Sequence, residues 1–281
     1  MTKRIAFQGE PGANSHVACR NSYPDYEPLP CPTFEDAFAA VSEGKAQLAM
    51  IPIENSIVGR VADVHHLVPE AGLYIIGERF MPIRYQLVAP KGATMAGVKR
   101  VRSHIQTLGQ CRNFLRAHGY AAITTADNAG AAREIADLND PSEAALAPPL
   151  AAEIYGLEVL ADDIRDEAHN TTRFLVFAPE PDDAEPEAGP CVVSFVFRVR
   201  NIPAALYKAL GGFATNGVNM TKLESYLEGG AFSAAMFYAD VEGHPSDRNV
   251  RLALDELQFF SSQLKILGVY PADPFRLNAP G

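Results

Sequence analysis

The sequence predicts an α/β protein, with a two-lobed βα domain at 1–178 followed by a smaller βαββαβ domain at 191–281. Three observations carry this reading. Short apolar runs alternate with helix-patterned stretches from residue 4 to residue 178, the rhythm of parallel strands joined by crossover helices. An extended apolar crossing near residue 80 and a return near residue 155 divide that series into lobe 1, about 1–78 and 156–178, and lobe 2, about 79–155. An acidic, proline-dense stretch at 179–190 lacks any apolar period and reads as a linker.

Taken in order, RIAFQG is a short apolar run ended by glycine, and EPGANSH after it is a turn leading into a helix. TFEDAFAAVSEG is a helix with Thr33 as N-cap, Asp36 three residues on and Gly44 as its stop. AQLAMIPI is a strand, and the loop PIENSIVG is expected to lead into a helix. After the crossing LYIIGERFMPIRYQLVAP come VKRVRSH (strand), IQTLGQCRNFLRAHG (helix), AAITTAD (strand) and NAGAAREIADLN (helix). AALAPPLAAEIYGL gives a short strand and helix, and NTTRFLVFAP closes the series. Beyond the linker the order is CVVSFVFRVR, IPAALYKALGGFATNG, VNMTKLESYLEGG, AFSAAMFYADVEG, SDRNVRLALDELQFFSSQL and KILGVYP. Read as strand, helix, strand, strand, helix and strand, this is the ferredoxin-like order.

At 281 residues and 47% hydrophobic, the chain has material for more than one core. A net charge of -10 argues against nucleic acid or an anionic membrane as partner, since both are drawn to basic surfaces. An anionic small ligand would need local positive potential instead. The basic start MTKR has no apolar h-region after it, and no stretch approaches the roughly 20 apolar residues a membrane span needs; a cytoplasmic protein is expected. Cys19, Cys31, Cys111 and Cys191 show no CxxC spacing, which fits reduced thiols and suggests no zinc site.

Three polar loops follow strands: PIENSIVG with Asn55 and Ser56, SHIQTLGQC with Ser103 and Gln110, and GEPGANSH with Ser15. Ligands of open α/β sheets sit at the carboxyl ends of strands, so these side chains either donate to a bound anion or cap helices. HNTTRF, residues 169–174, sets Arg173 against the apolar run FLVFAP. A cation there must meet either a neighbouring carboxylate or an anionic ligand. No GxSxG, GxGxxG or P-loop is present, so nucleophilic, dinucleotide and phosphoryl chemistry have no motif.

In this order, IAFQGEPGANSHVA, PIENSIVGRV, SHIQTLGQC and HNTTRF resemble prephenate dehydratase, and the βαββαβ tail resembles the ACT regulatory domain attached to it. The resemblance covers essentially the whole chain. It implies a catalytic domain like a type II periplasmic binding protein, and conversion of prephenate to phenylpyruvate, water and carbon dioxide with no cofactor or metal. It also implies Thr172 as the proton donor to the leaving hydroxyl, with Asn55, Ser56, Ser103 and Gln110 as substrate contacts. Arg173 would face a substrate carboxylate or fix the cleft, and Glu54 would be positional or pH-sensing. Arogenate dehydratase and a non-catalytic amino-acid sensor are the alternatives.

By the same resemblance L-phenylalanine is the expected effector, held by Pro203, Ala204, Ala205 and Leu206 at a helix start and by Glu224 and Ser225 on a strand. A homodimer or homotetramer is expected, without nucleic-acid or membrane partners. The tail departs from the family where Gly-Ala-Leu is usual, having Ala204, Ala205 and Leu206, and where Glu-Ser-Arg-Pro is usual, having Glu224, Ser225, Tyr226 and Leu227.

Overall fold

The structure, a computed structural model, describes residues 2–61, 64, 66–167, 169–200, 202–227 and 234–278. The chain forms two compact units, Met1–Val64 with Arg79–Phe174, and His65–Glu78 with Leu175–Gly281.

Residues of the first unit contribute strands to two sheets. In the first, β1 (Arg4–Gln8) lies parallel to both β2 (Glu27–Cys31) and β3 (Leu48–Asn55). The strand order is β2-β1-β3-β11-β5, where β5 is Tyr74–Pro82 and β11 is Thr171–Ala178. The last strand of the series thus returns to lie between β3 and β5, which brings HNTTRF beside the end of PIENS. Helix α1 (Asn14–Ser22) follows β1, and α2 (Phe34–Ser42) follows β2. Thr33 caps α2 as the sequence predicts, its hydroxyl oxygen accepting from Asp36 N at 3.1 Å.

The second sheet has the order β10-β6-β9-β7-β8, with β6 Gln86–Ala89, β7 Arg100–His104, β8 Ala121–Thr125, β9 Glu143–Ala147 and β10 Glu158–Ala161. Its two faces bury separate apolar clusters, one around Leu87, Val101 and Leu146 and one around Val88, Ala145 and Ile135. Helix α5 (Asn128–Leu138) is capped by Asp127, which accepts from Gly130 N, and α6 (Pro149–Tyr155) starts on a proline.

In the first unit two local expectations change. IQTLGQCRNFLRAHG is not one helix but α3 (Ile105–Gln110) and α4 (Arg112–His118), broken at Cys111. Asp166 breaks it: its N–H donates to the Gln110 carbonyl at 2.7 Å, and its carboxylate accepts from Asn113 N, so both groups leave the helical ladder. PIENSIVG leads into a short strand β4 (Gly59–Arg60) antiparallel to β3, not directly into a helix. Asn55 Oδ1 accepts from Ile57 N and Val58 N, and Gly59 takes a φ of 84°, a turn that reverses the chain.

In the second unit β12 (Cys191–Val199), α7 (Ala205–Thr215), β13 (Met220–Leu227), β14 (Ala234–Glu242), α8 (Arg248–Phe260) and β15 (Ser261–Pro271) give the predicted βαββαβ order in an antiparallel sheet β13-β14-β12-β15. The ends expected for the two strands at 228–233 lie outside the described residues. The helix expected over SDRNVRLALDELQFFSSQL stops at Phe260, and β15 takes up the remainder. Phe195, Phe197, Phe213, Val250 and Leu257 fill the core between sheet and helices. Gly268 lets the His65–Glu78 segment approach closely, since a Cβ there would stand 1.8 Å from the Ile75 carbonyl oxygen. Glu78 is fully buried and accepts from Arg276 Nε at 2.6 Å and NH2 at 2.9 Å, and from Asp273 N at 3.1 Å. Residues 179–190 carry no helix or strand, yet Ala184 N donates to the Val269 carbonyl at 2.8 Å.

Candidate active site

A cavity of about 490 Å³ lies in the first unit, with Gln8, Pro52, Asn55 and Thr172 on the side of the first sheet and Tyr85, Thr107, Gln110 and Asn128 on the side of the second. Among the described residues lining it, Arg60 is the single Lys or Arg.

Asn55 is the hub. Its carbonyl oxygen is used by the Ile57 and Val58 amides, which fixes the amide's orientation. Both protons of Nδ2 are then committed, one to Asn170 Oδ1 at 2.7 Å and one to Thr172 Oγ1 at 2.9 Å. Asn170, buried, passes the chain across the cavity by donating to Gln110 Oε1 at 2.9 Å. Thr172 therefore accepts through its oxygen, and among the described residues nothing takes its proton. A hydroxyl that accepts from an amide is a better donor for it, and this one lines the cavity.

Alternate residues of a strand face opposite sides, so Arg173 points away from Thr172's face. It is 1% exposed, its NH1 donates to Glu54 Oε1 at 3.0 Å, and its guanidinium lies 5.9 Å from the Phe80 ring centre. Neither Arg173 nor Glu54 lines the cavity. Of the two roles expected for Arg173, this placement is that of a charge-assisted brace next to Thr172.

Ser56 also braces, donating to the His169 carbonyl at 2.8 Å and accepting from Thr171 N at 3.0 Å. Ser103 is fully buried, its proton shared between Asn128 Oδ1 at 2.8 Å and the Leu146 carbonyl at 2.7 Å. The N-cap of α3 is His104, which accepts from Gln106 N. Asn55, Gln110 and Thr172 thus reach the cavity, while Glu54, Ser56, Ser103 and Arg173 stand behind it.

The family model of prephenate dehydratase matches residues 5–182. The chain belongs to the prephenate dehydratase family. Members of this family are decarboxylating dehydratases, a class of lyase. A relative from Komagataeibacter europaeus described as a bifunctional N-acyl-homoserine lactone acylase/prephenate dehydratase is 48% identical over 97% of both chains. Arogenate dehydratase 2 of Petunia hybrida is 38% identical over 96% of this chain and 72% of its own. The solved structure of prephenate dehydratase from Arthrobacter aurescens in complex with L-Phe is 31% identical, has a TM-score of 0.88, and covers 96% of this chain and 90% of that one.

Among the residues lining this cavity, sequence reasoning did not single out Tyr85, Asn128 or Thr107. Burial pushes the Tyr85 phenol up, while hydrogen bonds with Thr107, Asn170 and Asn128 oppose that shift. Tyr85 therefore stays a neutral donor at the cavity wall. It sits at the end of the crossing, where no motif marks it. No group of three or more His, Cys, Asp or Glu side chains among the described residues is placed to hold a metal ion, and no described helix is long and apolar enough to cross a membrane.

The six residues expected to hold an effector lie in the second unit. Ala204 is the N-cap of α7 with φ 62° and ψ 15°, a conformation glycine would adopt without strain. Ala205 N donates to the Ile202 carbonyl at 3.2 Å, and Leu206 packs against the core. Pro203 is exposed in the turn before α7. On β13, Glu224 accepts from Lys222 Nζ at 3.3 Å, and Ser225 is exposed.

Proposed function

We propose that the cavity converts prephenate to phenylpyruvate, water and carbon dioxide, with Thr172 as the proton donor. The observation that carries this is the Asn55–Thr172 hydrogen bond, in which the threonine's oxygen accepts, so that its proton stays available to a group in the cavity it lines. The bond from the ring to the carboxylate breaks and its electron pair enters the ring. The ring becomes aromatic as the carbon–oxygen bond on the opposite carbon breaks, and the departing hydroxide takes a proton to leave as water. Thr172 is too weak an acid to ionise first, so donation accompanies departure and the hydroxyl is restored from solvent. Tyr85, Gln110 and Asn128 give the site neutral donors, and Arg60 gives local positive charge for a dianion in an acidic protein.

Lobes 1 and 2 in this reading are those of a type II binding-protein arrangement. The C-terminal unit is an ACT regulatory domain that takes L-phenylalanine between the Pro203–Leu206 turn and the strand carrying Glu224 and Ser225. Its sheet pairs with a second copy in a homodimer or homotetramer. Support comes from the βαββαβ order and from the L-Phe complex of the Arthrobacter aurescens relative. The deciding experiment is phenylpyruvate absorbance after addition of prephenate, with arogenate alongside because of the Petunia hybrida relative. Turnover of arogenate alone would replace the substrate, and turnover of neither would reject the reading. A second reading adds lactone acylase activity, favoured by the 48% identity to the Komagataeibacter europaeus protein. Release of homoserine lactone from an N-acyl substrate tests it.

A further inference from the structure

One wall of the cavity carries donors that the role of Thr172 does not use. Helix α1 runs nine residues from Asn14, and its N-cap, Ala13, offers no side chain to the first-turn amides. Helix starts leave such N–H groups without partners and favour anions. The other longer helices at this site are served: Thr33 caps α2 and Asp127 caps α5. The independent observation is Ser15. It is 7% exposed and lines the cavity, and among the described residues its hydroxyl has no hydrogen-bond partner. That hydroxyl is not sealed inside protein but opens on the cavity, so it is free to meet a ligand group there. The turn before it is held in place. Gly12 N donates to His16 Nδ1 at 2.9 Å, and a Cβ at Gly12 would stand 2.8 Å from the Ala151 backbone.

We propose that the first turn of α1, through its free amides and the Ser15 hydroxyl, holds the side-chain carboxylate of the substrate, the one that the product keeps. The proposal rests on the dehydratase reading. In the first sheet β1, which leads into α1, is separated from β11, which carries Thr172, by β3 alone. From these two elements, α1 and β11, Ser15 and Thr172 line the same cavity. Prephenate carries its hydroxyl and its side chain on opposite carbons of the ring, so a donor at Thr172 and an anion site at α1 serve its two ends. Strong donors on the ring carboxylate would hold back its loss, because they stabilise the charge that must flow into the ring. The firm anchor therefore belongs to the other carboxylate. Ser15 is a specificity-determining contact in this assignment, and it takes no part in proton transfer.

The test uses the whole protein, prephenate kinetics and two probes of product shape, 3-phenylpropanoate and 3-phenylpropanamide. Wild type should bind the carboxylate at least about tenfold more tightly than the amide, the worth of one charge-assisted hydrogen bond. In Ser15→Ala the KM for prephenate should rise about tenfold with kcat within about twofold, because the contact is equal in ground and transition states. 3-Phenylpropanoate should weaken in parallel while 3-phenylpropanamide does not change. Equal weakening of both probes would mean a damaged cavity and overturn the proposal, as would unchanged binding and kinetics. If wild type turns over prephenate and Ser15→Ala matches it, the subsite alone is rejected. If wild type turns over no prephenate, the dehydratase reading fails and the subsite falls with it.

Discussion

Asn55 Nδ2 donates to Thr172 Oγ1 at 2.9 Å, while the Asn55 carbonyl is held by two backbone amides of the following turn. The turn thus sets the amide, the amide sets the hydroxyl, and the hydroxyl's proton is left for the substrate. Thr172→Val removes that proton at nearly constant volume. Losing a donor used mainly in the transition state costs about 3 kcal/mol, a loss of about a hundredfold in turnover. Thr172→Ser should keep part of the activity. Steady-state kinetics on prephenate check this, and near wild-type turnover in folded Thr172→Val would reject the role.

Asn55 acts through Thr172, so their losses should not add. Asn55→Ala alone should lower turnover by about tenfold, the worth of one hydrogen bond to a reacting group. On the Thr172→Val background the same change should do little, since the hydroxyl it orients is gone. A double-mutant cycle measures the coupling. Additive losses would show that Asn55 contributes by contacting substrate directly.

Arg173 and Glu54 form a pair in which the cation is 1% exposed and the carboxylate about one third exposed. Lysine preserves the charge but not the planar fork that reaches Glu54 while lying on Phe80. Arg173→Lys should lower stability by about 1–2 kcal/mol, less than for a fully buried pair because water still reaches Glu54. Turnover should fall as well, because the neighbouring residue is Thr172. Denaturant unfolding and kinetics together check this; unchanged values in both would make the pair dispensable.

What the sequence could reveal followed the range of the interactions. Thr33 and Asp36 are three residues apart and signal a capped helix on their own. The apolar and polar periods of β1, α2 and β12 are likewise local. The break at Cys111 is not, because Asp166 arrives from 53 residues away to take the Asn113 amide. The same holds at the site. Thr172 stood out through its motif, but its partner Asn55 lies 117 residues away, and Tyr85 meets Asn170 and Asn128 only through the fold. A strand alternation does foretell that Thr172 and Arg173 face opposite ways, which puts the proposed donor on the cavity side and Arg173 with Glu54 behind it.

Ala204 holds φ 62° at the start of α7. The left-handed region costs an L-residue roughly 1–2 kcal/mol, part of which glycine gives back through a more flexible unfolded chain. Ala204→Gly should therefore stabilise the protein by about 0.5–1 kcal/mol and, if the proposed effector turn is correct, tighten phenylalanine binding by opening the helix start. Unfolding midpoints and titration calorimetry on the whole chain separate the two effects. A less stable glycine variant would mean that the strain is not present in solution.

His16 ties the α1 turn to pH. Burial holds its imidazole below the ordinary value, and the nearby Arg20 adds repulsion. Its Nδ1 accepts from Gly12 N at 2.9 Å, and its ring stacks on Phe7 at 5.2 Å, so the folded form requires that nitrogen to be unprotonated. The unfolded chain takes up a proton near pH 6.5, whereas the folded chain does so only at a lower pH. Between those values the unfolded state binds more protons, so stability rises with pH. It should be fully present above about pH 7 and should decline as pH falls through 6.5 toward the depressed folded value. His16→Gln, which can still accept from Gly12 but does not titrate, should flatten that part of the curve. Melting temperatures from pH 7.5 to 5.5 for both proteins decide the matter, and parallel slopes would place the titrating group elsewhere.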